Sequence, residues 1–325
     1  MTPDTDLTIY DHQGQVASLF NLYLPDKIAT CPELMVITAD MSYAARLERF
    51  KALYPDHFVN CGIAEANMIG VAAGLTEEGH HCIALAQAAF ITMRCYEQVR
   101  QFMSYMRYPI ILVGLSAGLQ MQFMGNTHYA IEDMAIMRCL PYIEVLSPAD
   151  ASEAVKAMDY ALATNRPTYI RLAASATDPL IYHTDFNYNP HQAHTLRQGT
   201  DIVLYATGGL VHQALQAATD IEQQTGVSTA VVDMHSIAPL DTQAILQRRN
   251  CRLMVSLEEH HTIGGLGSAI AEILASLAHH APLLRLGVEN RYSTVGDHPF
   301  LLDQHSLTAQ QITSRVVETL KQHKQ

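Results

Sequence analysis

Two kinds of segment alternate along this chain. MVIT (Met35 to Thr38), CIALA (Cys82 to Ala86), IILVG (Ile110 to Gly114), IEVL (Ile143 to Leu146) and YIRL (Tyr169 to Leu172) are apolar runs too short for helices. They read as strands buried on both faces. Between them ANMIGVAAGLTEEG, FITMRCYEQVRQFM, AIEDMAIMRC and ADASEAVKAMDYALAT carry apolar residues three and four apart, the spacing of a helix with one buried face. From Ala173 to Gly199 the periodicity lapses into Pro, Asn, His and Tyr, which predicts a linker. A second series follows: DIVLYATG, a helix over Val211 to Gln224, VSTAVVDM, a helix after Asp241, RLMVSLEE, a helix from Leu266, LLRLGV, and a terminal helix after Leu307. Such alternation predicts the α/β class, with two wound parallel-sheet domains over residues 1–180 and 195–325.

Composition narrows what the two domains can bind. Of 325 residues, 49% are hydrophobic and 16% charged, enough apolar material for two cores. Thirty-two acidic against 20 basic residues give a net charge of −12, which repels nucleic acid and anionic lipid and favours a small-molecule substrate. The start has no basic, then apolar, leader, and no later run is long enough to span a membrane, so a cytoplasmic protein is expected. Cys31, Cys61, Cys82, Cys95, Cys139 and Cys251 form no CxxC pair and are expected to be reduced core thiols; the paired histidines lack metal-ligand spacing, so no metal site is expected.

Candidate chemistry gathers where strands end, the usual ligand edge of a wound sheet. Asp40 follows the first strand, Glu65 opens a helix within NCGIAEANMIGVAAGL, and His128 lies in the loop after IILVG. Taken singly, Asp40 reads as a helix cap, Glu65 as a solvated first-turn carboxylate and His128 as a loop histidine. Glu65 is the odd member: its stretch offers apolar neighbours and no Lys or Arg, so it must be exposed or used.

ITAD, FVNCGIAEANMIGVAAGL, AAF, SAGL, GNTH and EDMAIMRCLPYIEVLSPAD, in that order, resemble the pyrimidine-binding half of the transketolase family of thiamine diphosphate enzymes. EEHHTIGGLGSAIAE and VGDHPFLLDQHSLT are similar to that family's C-terminal domain. The resemblance implies that Glu65 hydrogen-bonds N1′ of the cofactor's aminopyrimidine, with apolar surroundings keeping it protonated. It further implies that Phe90 stacks on the pyrimidine, that Asp40 and Ile63 contact the cofactor, and that His128 contacts the substrate. Core packing is the other reading of Phe90.

The family holds the diphosphate and Mg²⁺ through a GDG motif, which this sequence does not contain. The resemblance therefore implies a split enzyme: a partner subunit carrying GDG and the Mg²⁺, and a homodimer of this chain within an α2β2 assembly. Where the family clamps a sugar phosphate and reads a hydroxyl, this chain has Ser116, Ala174 and Met124. At least one non-standard substrate is expected, with Arg94, Arg100 and Arg171 as anion contacts or structural ion-pair residues. The alternatives are the β-subunit of a 2-oxoacid dehydrogenase and a non-catalytic nucleotide-binding module built on GGLGSA (Gly264 to Ala269).

Overall fold

The computed structural model describes residues 7–173 and 179–322. Twelve strands among them form two sheets. β1 (Leu34–Thr38), β2 (Phe58–Asn60), β3 (His81–Gln87), β4 (Ile111–Leu115), β5 (Glu144–Leu146) and β6 (Thr168–Arg171) run parallel in the first sheet. The second contains β7 (His194–Arg197), β8 (Ile202–Ala206), β9 (Thr229–Asp233), β11 (Leu253–His261) and β12 (Leu283–Val288), ordered β12-β11-β8-β9-β7. These are the mostly parallel α/β sheets that the periodicity predicts. Every residue of β1, β4, β8 and β9 is buried, which is why these strands read as unbroken apolar runs.

Helices cover the sheets with the faces their spacing implies. The Glu65–Glu77 helix buries Met68, Ile69, Ala72 and Ala73. The Ala151–Thr164 helix starts where the Asp150 carboxylate accepts the Glu153 N–H at 2.8 Å and stops at Asn165 in the left-handed conformation. The helix expected from Phe90 onward is broken: Ala88–Met93 is α-helical, a short turn follows, and Val99–Tyr105 is wound as a π-helix.

Besides β2, whose three partly exposed residues carry no apolar run, three elements depart from the sequence reading. The stretch taken as a linker ends in β7, which pairs antiparallel with β9; its short HTLR run is only half-buried and so has no apolar signature. β10 (Ser236–Ala238) belongs by chain order to the second half, yet it pairs antiparallel with β5 and extends the first sheet, whose order is β10-β5-β6-β4-β3-β1-β2. The chain before β1 folds as short helical turns that bury Leu7, Leu19, Phe20 and Leu24. One apolar cluster holds Met134 and Val145 together with Val203, Tyr205 and Ile237, so the two halves share a core. No helix among the described residues is long and apolar enough to cross a membrane.

Candidate active site

β1 to β4 all end at one edge of the first sheet, and the backbone there is unusual. Asp40 just past β1 and Ser116 directly after β4 have positive φ, 58° and 52°. This left-handed geometry costs a non-glycine residue on the order of 1 kcal/mol and is held only where neighbours impose it. At Asp40 the neighbour is Asn60, the last residue of β2. Its Oδ1 accepts the N–H groups of both Asp40 and Gly62 at 3.0 Å, and its Nδ2 donates to Asp40 Oδ1 at 3.3 Å. Asn60 thereby ties the end of β1 to the turn that delivers Glu65.

Glu65 is the first residue of its helix and is 2% exposed. The apolar setting expected from its neighbours is corrected by a residue 29 positions away. Arg94, just past the Ala88–Met93 helix, donates from Nη1 to both carboxylate oxygens, at 2.9 and 2.8 Å. The same guanidinium lies over the Phe90 ring, 4.2 Å from its centroid. The His128 ring meets Phe90 edge-on at 5.1 Å and Nδ1 contacts the Thr127 hydroxyl at 2.9 Å. Glu65, Arg94, Phe90 and His128 thus form one continuous constellation, with Asp40 joined to it through Asn60.

The remaining predicted residues divide. Ile63 lies on the Glu65 turn, 77% exposed. Ser116 opens the loop that ends at His128, and Met124 lies on that loop, 56% exposed. Ala174 lies outside the described residues. Arg100 is exposed. Arg171 is excluded as an anion contact: it is 1% exposed, its Nε donates to Asp133 Oδ2 at 2.8 Å and its Nη2 to the Glu259 carbonyl at 2.8 Å. Tyr169 donates to the same Asp133 oxygen. Arg171 is the structural ion-pair residue of the two options.

Two residues of the second half shape the loop, and sequence reasoning missed both. Glu259 is buried on β11 and its Oε1 accepts the Leu119 N–H at 2.6 Å. A Cβ on Gly118, whose φ is 67°, would fall 2.5 Å from that oxygen, so this position requires glycine. His298 meets the other Glu259 oxygen at 3.1 Å and Gln120 at 3.2 Å, while Gln120 donates to the Ala173 carbonyl. Only Gly118 in SAGL offered a signal; Asn60, Glu259 and His298 act across folds in the chain.

GGLGSA does not offer an anion site. The Glu258 carboxylate already accepts the Leu266 and Gly267 N–H groups at 2.7 and 2.9 Å, filling the start of the Leu266–Leu274 helix. A Cβ on Gly265 would fall 1.9 Å from Glu258 Oε2, so the glycine serves this close approach. Burial pushes Glu258 up to about 7.

A second buried cluster joins the halves. Glu153, His194 and His235 bring ligating atoms within 4.8 Å of one another. Glu153 Oε1 and His235 Nδ1 have no hydrogen-bond partner and face each other at 3.4 Å. Burial, then the Asp233 carboxylate, pushes Glu153 well up, and burial pushes His235 down to about 3. A protonated Glu153 beside a neutral His235 leaves no charge on this pair for a cation to balance. Of the six cysteines, all reduced, Cys82 and Cys95 are core residues while Cys139 is exposed. A cavity of about 1170 Å³ is lined by residues away from this edge, and its Lys27 and Lys156 are paired with Asp159 and Asp185.

Comparison with known proteins gives the same picture from outside the molecule. Residues 14–178 match the family described as transketolase, pyrimidine binding domain, and residues 191–312 match transketolase, C-terminal domain. The chain is 34% identical to one subunit of the apulose-4-phosphate transketolase of Actinobacillus succinogenes, over 86% of this chain and 90% of that one. It is also 34% identical to the SqwH subunit of the 6-deoxy-6-sulfo-D-fructose transketolase of a Clostridium species, over 86% of each. Among solved structures it resembles a split gene transketolase described as an inactive beta4 tetramer, with TM-score 0.83, 32% identity, and coverage of 96% of this chain and 98% of that one.

Proposed function

This chain belongs to the transketolase family, and from that premise we propose that it is the pyrimidine-binding subunit of a split thiamine diphosphate-dependent enzyme that transfers a two-carbon ketol unit. The observation that carries the proposal is a buried Glu65 carboxylate and the face of Phe90 placed so that one flat group, here the Arg94 guanidinium, contacts both. A planar, N–H-donating cation, the Arg94 guanidinium, already satisfies both groups, so the pair accepts a flat ring that donates to a carboxylate.

When bound, the cofactor supplies a carbon nucleophile that accepts and passes on the ketol unit. Glu65 is assigned to hold a proton at the ring nitrogen N1′, Phe90 to fix the plane of that ring, and Asp40 and Ile63 to border it. His128 is assigned to hydrogen-bond the substrate from the loop that Glu259 anchors. We assign the metal and the diphosphate to a partner subunit, with two copies of this chain in the working assembly. Support comes from the relatives, which are themselves subunits and of which this chain covers 86–90%. The substrate is assigned as a ketose other than the ordinary sugar phosphates, because Ser116 and Met124 offer neither cation nor carboxylate.

The test uses the chain with its partner. Glu65→Gln retains the shape and loses the proton relay, so hydrogen–deuterium exchange at the cofactor's C2 should slow by roughly 10² to 10⁴. Exchange at the wild-type rate would remove Glu65 from this role.

A further inference from the structure

Arg94 occupies the place that the proposed function gives to the aminopyrimidine. One guanidinium nitrogen reaches both oxygens of Glu65, and the guanidinium carbon Cζ lies over the Phe90 ring, 4.2 Å from its centre. Both are the contacts that a flat heteroaromatic cation would make: hydrogen bonds to the carboxylate, and stacking on the phenyl face. Glu65 is buried, so an empty site would leave its carboxylate desolvated and unpaired, which is costly. A side chain that fills the site stabilises the chain before the cofactor binds. Arg94 can also leave: its side chain is 48% exposed, and it stands just beyond the Ala88–Met93 helix.

We propose that Arg94 is a built-in stand-in for the aminopyrimidine, closing the cofactor site of the cofactor-free protein, alone or assembled, and giving way when the cofactor binds. The inference rests on the assignment of Glu65 and Phe90 to the pyrimidine. Ring and guanidinium compete for one face and one carboxylate, so the observed cofactor affinity is the intrinsic affinity multiplied by the fraction of chains in which Arg94 has withdrawn. Lysine cannot substitute fully, since an ammonium group reaches the carboxylate but lacks the flat face that a guanidinium offers to the phenyl ring. The chemistry is noncovalent, and the cation moves to solvent.

The experiment is calorimetric titration of thiamine diphosphate into the assembled complex at saturating Mg²⁺. Arg94→Met keeps bulk and removes the planar cation. If the closed form holds nine chains in ten, its binding should tighten by about tenfold, with Arg94→Lys between it and the wild type. Guanidinium chloride at about 20 mM, far below the molar range that unfolds proteins, should weaken binding to Arg94→Ala while equal sodium chloride does not. Unchanged or weaker binding by Arg94→Met, or no difference between the two salts, would overturn the proposal. The exchange measurement on Glu65→Gln separates the two failures. Slow exchange in that variant with no tightening in Arg94→Met removes only the stand-in role, whereas normal exchange removes the pyrimidine assignment and the stand-in with it.

Discussion

A carboxylate that is 2% exposed needs a partner, and at Glu65 the partner is 29 residues away. Local reading identifies such a residue because its own neighbours fail to explain it. Position at the strand ends points to Glu65 and His128 and the resemblance adds Phe90, residues that the fold brings together, while the sequence leaves Arg94 between an anion contact and an ion-pair residue and does not match it to Glu65. Local reading cannot see Asn60, whose role exists only because β1 and β2 lie side by side. Substrate choice also belongs to this scale. The resemblance sets Ser116 and Ala174 at the family's phosphate clamp, and on that expectation phosphorylated aldoses should be poor acceptors, with kcat/KM lower by roughly 30- to 1,000-fold than for a fitting substrate. A panel of phosphorylated and unphosphorylated aldehydes and 2-oxoacids measures this, and Ser116→His with Ala174→Arg should recover part of the loss. Ribose 5-phosphate as the best wild-type acceptor would show that another cation supplies the anion site.

At the scale of elements, the loop from Ser116 to His128 shows how the second half serves the first. It leaves β4 at a strained residue, passes Gly118 and is caught by Glu259 from β11. Glu259→Ala leaves the buried Leu119 N–H without an acceptor, at a cost of about 2 kcal/mol. We expect a lower Tm and a several-fold higher KM, with thiamine diphosphate affinity unchanged, because Glu65 and Phe90 sit on other elements. A weakened cofactor affinity with unchanged KM would place the effect of Glu259 elsewhere.

For the molecule as a whole, the two halves behave as one body. Arg171 spans Asp133 of the first half and the Glu259 carbonyl of the second. His260 on β11 accepts the Ala135 N–H at 3.2 Å and donates from Nδ1 to the His261 carbonyl at 2.7 Å. Burial pushes His260 down from 6.5 to about 4, with Asp133 and Arg171 acting in opposite directions. The unfolded chain takes up this proton near pH 6.5 and the folded chain only near 4, so stability is lost as pH falls through that window, by about 3 kcal/mol for this group. Glu258, 3.6 Å away and pushed up to about 7, works in the other direction, since ionising it as pH rises from 4.5 to 7 destabilises the fold. Denaturation of wild type and His260→Gln across pH 4 to 7 isolates the histidine: the stability difference between them should shrink as pH falls. A constant difference would show that His260 does not titrate in this way.

Periodicity in the sequence determined the α/β class, most of the strands and the helices that cover them, because a strand buried on both faces must be apolar throughout and a covering helix must be apolar on one face. The order of residues around Glu65 pointed to the ligand edge for the same local reason. What tertiary structure alone decided are the pairings between distant segments: Arg94 on Glu65, Asn60 on Asp40, Glu259 on Leu119 and β10 in the first sheet. Glu65 apart, each joins groups whose individual neighbourhoods in the chain are ordinary. A charge or a hydrogen-bonding group leaves no periodic trace of the partner that folding will bring to it, so these contacts become legible only when the sheets are assembled.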